Sequence, residues 1–388
     1  MFHLQGKQRG KIIAVADVGS GSAGVAILRT SPNGSAQILA AERLALSFEE
    51  RSPEATVAGI IAQVESAAQK ALSAYTAKGG SKQAHMSSLY AVIRPPWTRS
   101  KTLQAVTEFQ TETRIEEHMI DTLAKEALKT DSEFDHANII ETSVIRVELN
   151  GYATARPSGK HARHIAVFLI ISDCDPRIRQ GVSEALTRTF ACAAPTFRSG
   201  TRALLSVLRE SKLLPKDCFV VNMASQGTSL MGVRKGVVVE TSLVPEGARS
   251  ILRRVAGEKM SEETLALMRM LALDQCETEA CEAVKTALVQ AEPELVKIFG
   301  EAISKMAADR RLPNPLILSA DENLSPWLLR FFSRIDFGQF TVTTRPFLPK
   351  ALSRHDLEGF IVSGNALAPD VGLAIASALV NIEESSDT

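Results

Sequence analysis

The chain has 388 residues, 45% of them apolar, and its 44 Lys and Arg balance its 44 Asp and Glu. Zero net charge gives no global attraction to nucleic acid or an anionic membrane, and the length exceeds one hydrophobic core, so two domains or one bilobal fold are expected. No run reaches the ~18 apolar residues of a membrane span. Cys174, Cys192, Cys218, Cys276 and Cys281 show no Cys-x-x-Cys pairing, which fits free thiols in a reducing cytoplasm.

The N-terminal "MFHLQGKQRGK" is basic but lacks the apolar core of a secretory signal. Residues 1–10 and the acidic end 383–388 are expected to be disordered tails. "KIIAVAD" and "AGVAILR" read as strands, and "SAQILAAERLAL" as a third after the turn "SPNG". A helix follows, with Ser52 as cap and Pro53 at its first position. Val57, Ile60, Ile61, Val64, Ala68, Ala71, Leu72 and Tyr75 recur at helical spacing. "SSLYAVIR" is a buried strand stopped by Pro95 and Pro96.

Residues 97–164 are more polar and read as a small inserted module, with an amphipathic helix in "RIEEHMIDTLAKEALK" and a strand in "ANIIETSVIRVELNG". "HIAVFLII" then returns the chain to the first lobe as a buried strand. Two helices follow, one opened by Asp175 and Pro176 and the other in "TRALLSVLRES" after the loop "PTFRSG".

At residue 217 the pattern restarts with strand "DCFVVN", turn "MASQGTS", and strands "LMGVRKG" and "VVVETSLV". Asp17 and Arg29 are twelve positions apart, as are Asn222 and Arg234. This is internal repetition at the scale of a domain. The stretch 246–310 reads as helices broken at "GEKMS" and "AEP". Strand "PLILSAD", helix "SPWLLRFFSRI", a strand around "QFTVTT" and a last helix in "APDVGLAIASALVNI" complete an alternating α/β chain.

The stretch "ADVGSGSAGVAIL" puts five Gly or Ser residues into a hairpin directly after a carboxylate. Two turn residues suffice for a hairpin. Gly19 and Gly21 lack a Cβ and let backbone N–H groups approach phosphate oxygens, and Ser20 and Ser22 add hydroxyl donors. Asp17, at the strand end, has the chemistry to hold Mg²⁺ through water. The plain alternative is a tight hairpin of small residues chosen for packing.

This stretch resembles the first phosphate motif of the actin-like ATPase superfamily. The element order, with an insertion between the strands at 88–94 and 165–171, is similar to that of the PilM (type IV pilus assembly) and FtsA (cell division) proteins. "VVVETSLVPEGARSI" and "NALAPDVGLAIASAL" resemble two further stretches of that group. The resemblance implies a two-lobe actin-like fold, that is, duplicated ribonuclease H-like domains with a small α+β insert in the first lobe. Lobe I would take 11–96 and 165–215, the insert 97–164, and lobe II 216–382 with a helical subdomain at 246–310. It implies ATP and Mg²⁺ as ligands, held by Asp17, Gly19, Ser20, Gly21 and Ser22 in lobe I and by Asn222, Gly227, Thr228 and Ser319 in lobe II.

The chain departs from that group's pattern. Its second phosphate motif, Asp-x-Gly-Gly-Gly-Thr, is "NMASQGTS" here: Asn222 replaces the carboxylate, and Ala224, Ser225 and Gln226 replace glycines. The adenosine loop keeps Ser319 but has Ala320, Asp321 and Glu322 where glycines belong; those two acids suit a solvated helix N-terminus. "PTFRSGTRAL" offers no acid or Gln to orient water. The expectation is a cytoplasmic scaffold nearer PilM than FtsA, with weak nucleotide binding and little hydrolysis. It would be recruited to the inner face of the cell membrane by the tail of an inner-membrane protein, without inserting itself, and self-association is left open. An FtsA-like division protein or a small-molecule kinase on the same fold is the alternative.

Overall fold

The computed structural model describes residues 10–31, 34–47, 51–79, 86–257, 260–363 and 369–386. Residues 1–9 of the expected tail 1–10, the middle of the turn "SPNG" and part of "GEKMS" lie outside them. Strands and helices are numbered here in chain order. Contacts divide the chain into two units, which alternate along it.

The first unit takes the chain up to Ile93, Arg177–Leu214 and the part from Ser353 on. Its sheet is built on β1 (Ile12–Val18), β2 (Ser22–Arg29), β3 (Ala36–Ala45) and β4 (Ser88–Ile93). β1 and β2 are almost continuously apolar because they are buried. Helix α1 (Pro53–Ala77) begins where the Ala55 N–H donates to Ser52 Oγ at 3.2 Å, and its buried Val57, Ile60, Val64, Ala68 and Ala71 form one face against β2 and β3. Helices α3 (Pro176–Phe190) and α4 (Gly200–Glu210) flank the short strand β9 (Thr196–Ser199). This strand lies in the "PTFRSG" expected as a loop; it pairs in parallel with β4.

The last segment of the chain also belongs to this unit, not to the second lobe as expected. Strand β15 (Ile361–Val362) pairs with β3, and helix α9 (Val371–Ser386) packs on β1, β2 and α4 through residues such as Leu373, Ala376 and Leu379. The expected disorder of 383–388 is corrected with it for residues 383–386, while 387–388 lie outside the described residues. Glu383 takes Arg198 at 2.9 Å and Arg202 at 3.4 Å, while Glu384 takes Lys11 at 2.7 Å and the Tyr90 hydroxyl at 3.0 Å. The acids that make the tail look solvated are its anchors.

The second unit takes Arg94–Pro176 and Pro215–Leu352 and has two sheets. The four-stranded one is ordered β5-β8-β6-β7, from β5 (Thr98–Arg114), β8 (His161–Cys174), β6 (Ile139–Leu149) and β7 (Tyr152–Ala153). Helix α2 (Glu117–Thr130) lays Ile120 and Leu123 on Val147, Leu149, Ile165 and Val167. The boundary expected at 164/165 is thereby moved. "HIAVFLII" is the middle of one continuous strand paired on both sides within this sheet, so its apolar run marks a central strand of the insert.

The five-stranded sheet is ordered β12-β11-β10-β13-β14, from β10 (Cys218–Met223), β11 (Thr228–Arg234), β12 (Val237–Val244), β13 (Pro315–Ser319) and β14 (Leu348–Ala351). Between β12 and β13 come helices α5 (Ala248–Ala256), α6 (Ser261–Ala272) and α7 (Glu279–Met306); α8 (Ser325–Arg334) precedes β14. Phe299 of α7 meets Phe331 and Phe332 of α8 edge-on at 6.0 and 5.6 Å.

Three further expectations are corrected here. The break at "AEP" does not occur: α7 runs through Pro293, and the carbonyl that loses its helical partner belongs to Val289, a residue on the exposed side of the helix. The strand around "QFTVTT" shrinks to a single parallel bridge of Thr341 with Leu312 after a 3₁₀ turn at Gly338–Phe340, and the Thr341 hydroxyl donates to the carbonyls of Gly338 and Arg345. Cys276 and Cys281 are joined as a disulfide across the turn into α7, with Cα atoms 6.1 Å apart, while Cys174, Cys192 and Cys218 form no disulfide.

The restart at residue 217 is a repeat of topology. In each unit a three-stranded antiparallel meander is extended by two parallel strands: β3-β2-β1-β4-β9 in one, β12-β11-β10-β13-β14 in the other. The register repeats too. Asp17 faces Gly24 and Asn222 faces Ser229; the last pairs before the turns are Val18 with Ala23 and Met223 with Thr228. The Gly19 N–H donates to the Ser22 carbonyl at 3.0 Å, and the Ala224 N–H to the Gly227 carbonyl at 2.9 Å. Each third strand then bulges opposite the matching place in the second: Leu39 of β3 is the extra residue opposite Ile27/Leu28, and Val239 of β12 the extra residue opposite Gly232/Val233.

Candidate functional site: two phosphate-type hairpins

The first hairpin joins β1 to β2 through Gly19, Ser20, Gly21 and Ser22. Asp17 is 1% exposed and Ser20 2%. The turn is held by the Gly19 bond to Ser22 and by the Leu46 N–H donating to the Gly21 carbonyl at 2.8 Å. Asp17, Gly19, Ser20, Gly21 and Ser22 lie together at the turn end of β1 and β2.

Arg43, on β3, was not singled out by the sequence reading. Its Nη2 pairs with Asp17 Oδ2, its Nε pairs with Asp370 Oδ2, and its Nη1 donates to Ser22 Oγ at 2.8 Å. Asp370 also holds the start of α9, where its Oδ1 accepts the Gly372 and Leu373 N–H groups at 2.9 and 3.2 Å. Burial works against the charge on Arg43, but the attraction of Asp17 and Asp370 outweighs it and raises the guanidinium pKa further. The guanidinium lies over Gly24: a Cβ there would stand 2.8 Å from Nη2, 3.0 Å from Cζ and 3.1 Å from Nε. A glycine inside a strand marks such a close approach, and this was the available sequence signal.

This arrangement does not fit Mg²⁺ on Asp17. The carboxylate expected to hold the ion is buried and already faces a fixed guanidinium, which also takes Ser22. Among the described residues no group of three or more His, Cys, Asp or Glu is placed to hold a metal ion.

The second hairpin joins β10 to β11 through Ala224, Ser225, Gln226 and Gly227. Its register places Asn222 beside Ser319, the last residue of β13, so Asn222, Gly227, Thr228 and Ser319 are gathered at one end of this sheet. Their free chemistry is smaller than the sequence implies. Thr228 is fully buried and its hydroxyl donates to the Glu246 carbonyl at 2.6 Å, so that donor is spent inside the protein.

The first turn of α5 closes on the same loop. The Ala248 and Arg249 N–H groups donate to the carbonyls of Ala224 and Ser225, both at 2.9 Å. A helix N-terminus is a ready anion site only while its N–H groups are free. Gly247 permits this docking, since a Cβ there would lie 2.5 Å from Gly227 N and 2.6 Å from the Ser225 oxygen. Arg249, in the first turn of α5, is buried. Asp321 holds the turn before α8, accepting the Asn323 N–H at 2.9 Å, which agrees with the helix-start reading of that acid.

No protein-family model and no curated protein matches the chain. Solved structures do. Over 95% of its length it aligns with 98% of a chain from a PilM–PilN type IV pilus biogenesis complex, at a TM-score of 0.54 and 12% identity. The ethanolamine utilization protein EutJ from Carboxydothermus hydrogenoformans aligns over 96% of this chain and 92% of its own, at a TM-score of 0.46 and 11% identity. Component A of (R)-2-hydroxyglutaryl-CoA dehydratase from Acidaminococcus fermentans aligns over 97% and 99%, at a TM-score of 0.40 and 11% identity. The fold is that of the actin-like ATPases, and identities this low speak for fold alone.

Proposed function

We propose that this chain is a PilM-like, actin-fold scaffold for type IV pilus assembly. Its partner is a protein of the PilN kind, engaged through the short cytoplasmic tail of an inner-membrane protein, and this recruits the chain to the inner face of the cell membrane. The observation that carries the reading is the end-to-end alignment with a chain of the PilM–PilN complex, with the two repeated sheets and the inserted four-stranded sheet all present.

The scaffold role, rather than an ATPase role, is supported by the state of the two hairpins. Asp17 is ion-paired, Thr228 has spent its donor, and the first N–H groups of α5 are bonded to the loop they adjoin. Hydrolysis requires a cradled γ-phosphate and a positioned water. Nucleotide binding in this reading is weak and turnover negligible. Among the described residues no helix is long and apolar enough to cross a membrane.

The test is titration of the full chain with a labelled peptide copying the cytoplasmic tail of a PilN-type inner-membrane protein, alongside an ATP turnover assay. Saturable binding with turnover at background is expected. Failure to bind the peptide would remove the pilus reading, and turnover that depends on an added hydroxyl acceptor would favour a kinase.

A further inference from the structure

We propose that Arg43 is the resident cation of the first phosphate hairpin, a guanidinium standing where this fold would hold a divalent metal, so that the hairpin takes any phosphate-bearing ligand without one.

The argument begins with the convergence of two carboxylates. Asp17 comes from the end of β1 and Asp370 from the start of α9, 353 positions apart in the chain, yet each turns its Oδ2 to the same guanidinium. Carboxylate oxygens converging from separate elements are what a hard divalent cation requires. Here a planar fork fills that position, and Nη1 extends the contact to Ser22, a residue of the phosphate turn itself.

The position is shaped for the guanidinium. Gly24 is the register partner of Asp17, and the space a Cβ would need there is filled by Nη2, Cζ and Nε of Arg43. Both acids are also tied down independently of Arg43: Asp17 lies buried in the sheet, and Asp370 Oδ1 is bonded to the N–H groups of α9. The Arg is held by two carboxylates over a flat glycine surface, and withdrawing it would take from buried Asp17 the guanidinium it faces. The inference builds on the phosphate-hairpin reading of the turn; the role of Arg43 toward Asp17 stands on the ion pairs alone.

The test uses Mn²⁺ as the probe, with its free-ion electron paramagnetic resonance signal as the readout, on the full chain. Wild type is expected to leave the signal unchanged. Arg43→Met, similar in length but uncharged, is expected to take up one Mn²⁺, and Arg43→Met with Asp17→Asn to lose it again. Uptake by wild type that vanishes in Asp17→Asn would overturn the proposal, as would a folded Arg43→Met protein that takes up nothing. Should Arg43→Met not fold, ATP affinity of wild type in Mg²⁺ and in EDTA decides: equal affinities are expected, and a loss of about tenfold or more in EDTA would overturn the proposal. Absence of ATP binding in both buffers, with the Mn²⁺ results as expected, would remove the nucleotide part of the reading and leave the role of Arg43 intact.

Discussion

Gly24 and Arg43 form a single fitted surface: the glycine's missing Cβ is the space in which the guanidinium lies, 2.8 Å from where that carbon would stand. Gly24→Ala should therefore push Arg43 off Asp17 or Asp370. The expected cost is about 1–3 kcal/mol, the range for overpacking a filled site. Chemical denaturation measures it, and in an Arg43→Met background the cost should largely vanish. Equal costs in the two backgrounds would show that the alanine is resisted by something other than Arg43.

Arg43→Met by itself removes one partner of a buried ion pair. Because this takes from buried Asp17 the guanidinium it faces, the expected destabilisation is about 3–5 kcal/mol at neutral pH. Adding Asp17→Asn should recover part of it, since the buried charge is then gone. A double-mutant cycle in urea gives the coupling directly; coupling near zero would argue against the pair.

Gly247→Ala tests the seal on the second hairpin. All three of its nearest would-be contacts are backbone atoms of the hairpin, at 2.5 to 2.7 Å, and cannot swing aside. The start of α5 must lift, breaking the Ala248 and Arg249 bonds to Ala224 and Ser225. Faster hydrogen exchange at those two amides is expected, with exchange in the four-stranded sheet unchanged. Protection equal to wild type would mean that α5 does not rest on the loop.

The C-terminal anchor is checked by deleting 383–388 or by Glu383→Gln. Loss of charged hydrogen bonds to Arg198 and Arg202 should cost about 1.5–3 kcal/mol. A truncated protein as stable as the full chain would restore the view of this end as a loose acidic tail.

Cys218 gives a pH-linked prediction. Burial in β10, with the nearby Asp217 charge as the lesser cause, pushes its thiol up to about 12. Between the ordinary thiol range and that value the unfolded chain loses a proton that the folded chain keeps. Stability should therefore fall as pH rises through that interval, and Cys218→Ala should flatten the fall. In the native protein Cys218 should resist alkylation at pH 8 where partly exposed Cys192 reacts; equal labelling rates would contradict the burial.

Much of the fold was legible in the residues because it rests on local signals. The apolar runs of β1, β2 and β10, the Ser52–Pro53 helix start and the twelve-residue echo between the hairpins are consequences of burial, capping and turn chemistry, all short in range. The same signals misplaced "HIAVFLII", because an apolar run reports that a strand is buried but not which sheet buries it. The acidic tail misled for a related reason: Glu383 and Glu384 look solvated until Arg198, Arg202, Lys11 and Tyr90 are brought beside them.

The sequence by itself determined a duplicated α/β chain with a Gly/Ser turn after Asp17 and a worn counterpart after Asn222. Only the tertiary structure decided what faces those turns. Arg43 and Asp370 reach Asp17 from 26 and 353 positions away, and the start of α5 closes on Ala224 and Ser225. A motif records the groups a turn can offer. Whether they remain free depends on partners that folding brings in, and a buried carboxylate takes the nearest fixed cation because leaving it unpaired costs more than any local preference supplies.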